Sequence, residues 1–159
     1  MDHALWEMPR DEFPVTHSVR VRYNEIDGQK IVFNGNYFIY ADIGVTEYFR
    51  MLGEGQPGPF FHQYGTDIFV VHAEIDYHAS AVLDDMIDIV ARVSRIGRTS
   101  FTLHVAIFRG AERLTDITIV YAHMDLDSGE STPLPASFIA DVRSAQKTPP
   151  AQDPAKQWG

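Results

Sequence analysis

The sequence predicts an α+β domain in which a curved antiparallel sheet wraps around one long central helix. Two observations carry most of this. Residues 36–52, NYFIYADIGVTEYFRML, repeat apolar side chains at helical spacing (Phe38, Ala41, Val45, Tyr48, Phe49, Leu52), and the aromatics wrap widely enough to predict a mostly buried helix. Four strand-like runs then follow at 67–79, 86–96, 99–109 and 113–125, joined by turns short enough for antiparallel neighbours. A long apolar helix ahead of such a meander has its buried face met by the sheet.

The other elements follow in chain order. Residues 14–26, PVTHSVRVRYNEI, alternate, with Val15, His17, Val19, Val21 and Tyr23 on one face, as in a half-buried strand. Asn36 is a suitable N-cap for the helix and Gly53 a suitable C-cap. Residues 53–66 form a loop, and ASFIADVRSAQ at 136–146 reads as a short C-terminal helix after the turn DSGESTPLP. The ends, 1–14 and 147–159, look like an N-terminal extension and a flexible tail around a domain at 15–146, since TPPAQDPAKQWG holds three prolines and little that packs. A sheet of this size has a second face and edges to cover, which predicts a homo-oligomer.

The chain has 159 residues, enough for one domain with a real core, and 45% of them are apolar. With no cysteine, disulfides, thiolate nucleophiles and Cys-type zinc sites are excluded. A net charge of −9 disfavours general binding to nucleic acid or to anionic membrane. No apolar run approaches the roughly 18 residues of a membrane span. The acidic start MDHALWEMPRDEF lacks the apolar core of a secretory signal, so a cytoplasmic location is expected.

Several motifs compete for a chemical role. GEGQPG at 53–58 matches the letters of a dinucleotide fingerprint, but a helix precedes it and Pro57 and Pro59 bar one from following. HAEIDYH places His72, Glu74, Asp76 and His78 on one strand face, about 6.6 Å apart in succession, too far for tight chelation by that strand alone. No Gly-x-Ser-x-Gly elbow is present. The reactive groups left are carboxylates. Asp27 sits where strand gives way to turn, ahead of a buried helix whose first N–H groups are free to polarise a carbonyl. Asp27 and the amides near Asn34–Tyr37 therefore offer both halves of an acyl-transfer site. An equally available reading makes Asp27-Gly28 a turn pair and Asn36 a cap.

The stretch from Asp27 through Ile31, Val32, Phe33, Asn36 and Tyr37 to Thr46, Glu47, Tyr48 and Arg50 resembles the 4-hydroxybenzoyl-CoA thioesterase-like branch of the hotdog-fold thioesterases. The likeness continues through YHASAVLDDMIDIVARVSRIGRTSFTLHVAIFR and TPLP, over roughly residues 15–146. It implies a hotdog fold, a dimer or dimer of dimers with active sites at the subunit interface, and hydrolysis of an acyl-CoA thioester. In that reading Asp27 is the nucleophile or general base, and the Asn34 backbone N–H holds the oxyanion. Asn36 and Tyr37 position the helix and line the pocket, and Ile31 to Phe33 anchor the turn. Side chains such as Phe33, Tyr37, Tyr40, Phe60 and Phe61 wall the acyl group, and Arg95 and Arg98 meet the coenzyme A phosphates. Coenzyme A enters as part of the substrate, and no metal or redox cofactor is implied. A hotdog hydratase or dehydratase, or a non-catalytic acyl-CoA-binding hotdog, would share the fold. The chain departs from the family at Lys30, where relatives carry glycine. If that position needs a positive φ, lysine is costly there.

Overall fold

In the computed structural model, residues 3–55 and 58–152 are described. The strands are β1 (Val15–Arg20), β2 (Thr66–Tyr77), β3 (Met86–Ile96), β4 (Ser100–Arg109), β5 (Glu112–Asp125) and the two-residue β6 (Ala151–Gln152); the helices are α1 (Asn36–Leu52) and α2 (Ala136–Ala145). One sheet runs in the order β1-β3-β4-β5-β2, all antiparallel, with β6 parallel to β3. The predicted helix limits hold at 36–52. The first strand is much shorter than the alternation suggested, because the chain turns into a 3-10 helix at Tyr23–Glu25, and the second strand ends at Tyr77 rather than at 79.

The concave face of the sheet closes on α1. Tyr37, Tyr40, Ala41, Val45 and Tyr48 pack against inward residues such as Ile89, Leu103, Val105 and Ile117. At Gly44 the helix comes so close to the sheet that a Cβ would stand 2.9 Å from Ile89 Cγ2, which is why no side chain sits there. The helix is less enclosed than its aromatic content predicts. Phe38 and Ile39 remain exposed on the side the sheet does not reach.

The convex face is covered by the chain's own N-terminal segment, so residues 3–14 are not a loose extension. Phe13 joins Val90, Ala106 and Phe108 in a second apolar cluster with Met8 against it. Arg113 donates to the carbonyls of Met8 (2.8 Å) and Leu5 (2.9 Å), and Arg10 to that of Gly110 (3.0 Å). Arg113 also grips the fully buried Asp116, whose other hydrogen-bond partners are His104 (2.6 Å) and His78 (2.9 Å). Burial alone would raise the Asp116 carboxyl, but those hydrogen bonds and charges hold it far below the usual carboxylate range. At the other terminus Gln146 bonds both backbone groups of Val93, and Ala151 and Gln152 pair with β3. The predicted flexible tail is thus fixed through residue 152, and its remainder lies outside the described residues.

The unpaired edge of β2 is long and apolar, with Phe69, Val70 and Val71 all about half exposed or more. A β-bulge between Val70 and His72 places these three side chains in succession along it.

Candidate active site

After β1, Val21 is buried and the chain turns through Tyr23–Glu25. The Glu25 carbonyl accepts two donors, the Phe33 amide (2.9 Å) and the Asn36 side-chain amide (2.8 Å). This ties the first turn of α1 to the preceding loop. Asn36 is therefore not the N-cap. Gly35 holds that place, and the Asn36 side chain reaches backwards instead of capping its own helix.

Asp27 opens a tight turn. Its amide donates to the Ile31 carbonyl (2.9 Å), its carbonyl accepts the Lys30 amide (2.9 Å), and Oδ1 accepts the Gln29 amide (2.8 Å). Lys30 adopts φ 66°, the left-handed conformation that glycine takes without a Cβ penalty. Val32, almost fully buried, donates to the Ala81 carbonyl and anchors the turn in the core, and Ile31 bridges to Val82.

At the start of α1 the Asn36, Tyr37 and Phe38 amides bond to the carbonyls of Phe33, Asn34 and Gly35. The amides of Asn34 and Gly35 have no acceptor among the described residues. Tyr77 Oη donates to the Asn34 carbonyl (2.9 Å) and holds this peptide in place. Two open N–H groups at a helix N-terminus, one turn of chain from a carboxylate, form a polar corner suited to an anionic oxygen.

The structure thus brings Asp27, Ile31, Val32, Phe33, Asn34, Asn36, Tyr37 and Tyr40 into one corner, in different roles. Phe33 is half exposed at the surface, whereas Tyr37 and Tyr40 are buried beneath the turn. Tyr37 Oη accepts the Ala81 amide (3.0 Å). The Tyr40 hydroxyl is buried beside Glu25, and burial, reinforced by the Glu25 carboxylate, pushes it well above the ordinary phenol range. Arg95 and Arg98 do not join this corner. β3 starts beside the end of β1 near Asp27, and the nine steps from Met86 carry Arg95 roughly 30 Å away, toward the hairpin that holds Arg98.

A cavity of about 900 Å³ opens at the other end of α1. Its apolar wall comes from Val45, Phe49 and Leu52 of α1, Phe60 and Tyr64 of the following 3-10 turn, and Ile68 of β2. Of the residues named as acyl walls from sequence, Phe60 and Phe61 line it, whereas Phe33, Tyr37 and Tyr40 do not. Val45, Phe49 and Leu52 stand at i, i+4 and i+7, a spacing visible in the sequence that could equally belong to an ordinary core stripe.

A curved antiparallel sheet closed on one long helix, with a carboxylate turn and open amides where that helix begins, defines a hotdog-fold thioester hydrolase. Residues 29–115 match the family model for the thioesterase superfamily, and the chain belongs to that superfamily. The match begins two residues after Asp27. The chain is 26% identical over 127 residues to the acyl-CoA thioesterase YbgC of Haemophilus influenzae, covering 80% of this chain and 90% of that one. It is 25% identical over 129 residues to a putative esterase of Aquifex aeolicus, covering 79% and 95%. In fold it is similar to a thioesterase of Thermus thermophilus solved with coenzyme A and zinc, with a TM-score of 0.72 at 22% identity over 87% of this chain and 98% of that one.

Proposed function

We propose that the protein hydrolyses an acyl-CoA thioester to the free acid and coenzyme A, with Asp27 as its catalytic carboxylate and the amides of Asn34 and Gly35 as the oxyanion hole. The observation that supports this most is the pair of acceptor-free amides beside the Asp27 turn. The thioester carbonyl oxygen would sit on those amides as it gains charge, which favours the tetrahedral intermediate over the ground state. Asp27 either takes a proton from a water attacking the carbonyl carbon, or attacks that carbon itself, in which case the acyl group passes to Asp27 as an anhydride that water hydrolyses to the free acid after the thiolate has left. In both routes the C–S bond breaks, and the thiolate leaves as a weak base. The reaction so drawn uses no metal or redox cofactor. The relative named as an acyl-CoA thioesterase and the neighbour solved with coenzyme A support the choice of acyl carrier.

The site would be completed by a second copy of the chain. β2 leaves its apolar edge unpaired, a surface suited to antiparallel pairing about a two-fold axis. Within one subunit, Tyr77 at the end of β2 touches Asn34, while Asp67 and Ile68 at its start line the cavity. Antiparallel pairing lays the end of one β2 along the start of the other. It would carry the open amides and Asp27 of each subunit to the cavity of its partner. Arg95 and Arg98 lie toward that same end of the molecule, where they could meet the coenzyme A phosphates.

The test is thiol release from a panel of acyl-CoA esters by the parent and by Asp27→Asn. The variant is expected to keep its fold, seen by circular dichroism, and to lose about 10²–10⁴ in kcat. Unchanged turnover would sink the assignment of Asp27.

A further inference from the structure

The cavity at the C-terminal end of α1 carries a charge pattern that the hydrolytic reading does not use. Its wall is apolar and aromatic, but four carboxylates border it: Asp42, Glu54, Asp67 and Asp141. Asp67 is hydrogen-bonded to His62 (2.8 Å). The side chains of Asp42, Glu54 and Asp141 have no hydrogen-bond or ion-pair partner among the described residues. Among the described residues, the guanidinium on the lining is that of Arg50, which is already bound to Glu47. The Tyr121 hydroxyl also lines the cavity. Burial, reinforced by the charge of Asp42, keeps it protonated, so it presents a neutral dipole rather than another negative charge.

We propose, on the basis of the thioesterase reading above, that this cavity receives the acyl end of the substrate and selects acyl groups without negative charge, with Asp42, Glu54 and Asp141 as the residues that exclude carboxylates. The volume falls in the range that holds a small organic group. The apolar wall rewards burial of an aromatic or branched hydrocarbon. The nucleotide end of coenzyme A carries several negative phosphate charges, so the unpaired carboxylates repel it and fix which end of the substrate enters. An acyl chain ending in its own carboxylate meets the same repulsion, and it also loses hydration against Phe49 and Phe60. Rejection through misplaced like charges is a common route to specificity. Because the three side chains are exposed at the rim, salt should weaken their effect.

The experiment compares matched substrates by thiol release: 4-methylbenzoyl-CoA against 4-carboxybenzoyl-CoA, and hexanoyl-CoA against adipoyl-CoA. In each pair kcat/KM should be about tenfold or more lower for the carboxylated member at low salt, and the gap should narrow at high salt. The ratio within each pair should also fall in the triple variant Asp42→Asn, Glu54→Gln, Asp141→Asn. Equal efficiencies within both pairs, or a gap that neither salt nor the triple variant changes, would overturn the proposal while leaving the hydrolytic reading intact. If the triple variant fails to fold, the salt dependence of the parent decides alone. Absence of thiol release from all four esters would instead overturn the hydrolytic reading, and this proposal with it.

Discussion

At its N-terminal end α1 begins on two open amides beside a strained carboxylate turn, whereas at its C-terminal end it forms the apolar wall of a cavity bordered by unpaired acids. One end has the groups that stabilise charge, and the other has the volume that holds hydrocarbon. The open amides belong to residues 34 and 35, and the α1 residues that line the cavity run from Asp42 to Leu52, roughly 10–25 Å further along the helix axis. In the proposed dimer, each site would draw its amides from one subunit and its apolar cavity from the other. The exposed edge of β2 would then matter to catalysis, because it would bring the two kinds of end together from different subunits.

The largest expected effect tests this separation directly. Asp27→Asn should remove the chemical end of each site. Thr46→Trp, placed at an exposed cavity-lining position of α1, should block the binding end. Each variant alone should be nearly inactive. Mixed by unfolding and refolding together, they should recover about a quarter of the parental kcat, because half of the dimers are mixed and one of their two sites is intact. No recovery, with dimers present by light scattering, would place both halves of the site in one subunit.

A second prediction uses a region distant from both ends. Asp116 is buried on the convex face and held by Arg113 and His104. Its carboxyl is depressed in the folded state, so its stabilising contribution is present above the unfolded carboxylate pKa of about 3.9 and fades as pH falls below it. Asp116→Asn should cost about 3–5 kcal/mol at neutral pH, since Arg113 would be left without its buried counter-charge. Urea unfolding between pH 3 and 7 should show a shallower acid loss in the variant than in the parent. The folded fraction should keep its kcat, because the change touches neither end of α1. A lost kcat with retained stability would contradict this division of the molecule.

The two ends also differ in how much of them could be read from sequence. The helix limits and most strand limits follow from local periodicity, which one buried stripe or face imposes at short range. The Asp27 corner is contiguous in the chain, so its members were visible together. The cavity draws on α1, the 3-10 turn and β2, and only Phe60 and Phe61 stood out in advance. The N-terminal segment was unreadable for a related reason. Its anchors are Arg113 and the Phe108 cluster, about a hundred positions away, and no local pattern in residues 3–14 announces them. Asn36 misled because its residue type suits a cap, while tertiary structure gave its amide a better acceptor in Glu25.

The smallest effect concerns the strain at the N-terminal end. Lys30 holds φ 66° in the turn that Asp27 opens, and its side chain is exposed. A residue with a Cβ loses about 1–2 kcal/mol in the left-handed region. Glycine avoids that loss but gives up roughly 0.5–1 kcal/mol through the greater freedom of the unfolded chain. Lys30→Gly should therefore stabilise the protein by about 0.5–1 kcal/mol, a shift of a few degrees in Tm by calorimetry. Because glycine adopts the same backbone conformation, the Asp27 turn should be preserved, and kcat on a simple N-acetylcysteamine thioester should match the parent. A fall in kcat on that small substrate would mean that the lysine holds the turn in its reactive shape. A rise in KM confined to acyl-CoA would assign the ammonium to the nucleotide end of the substrate and make the strain part of binding.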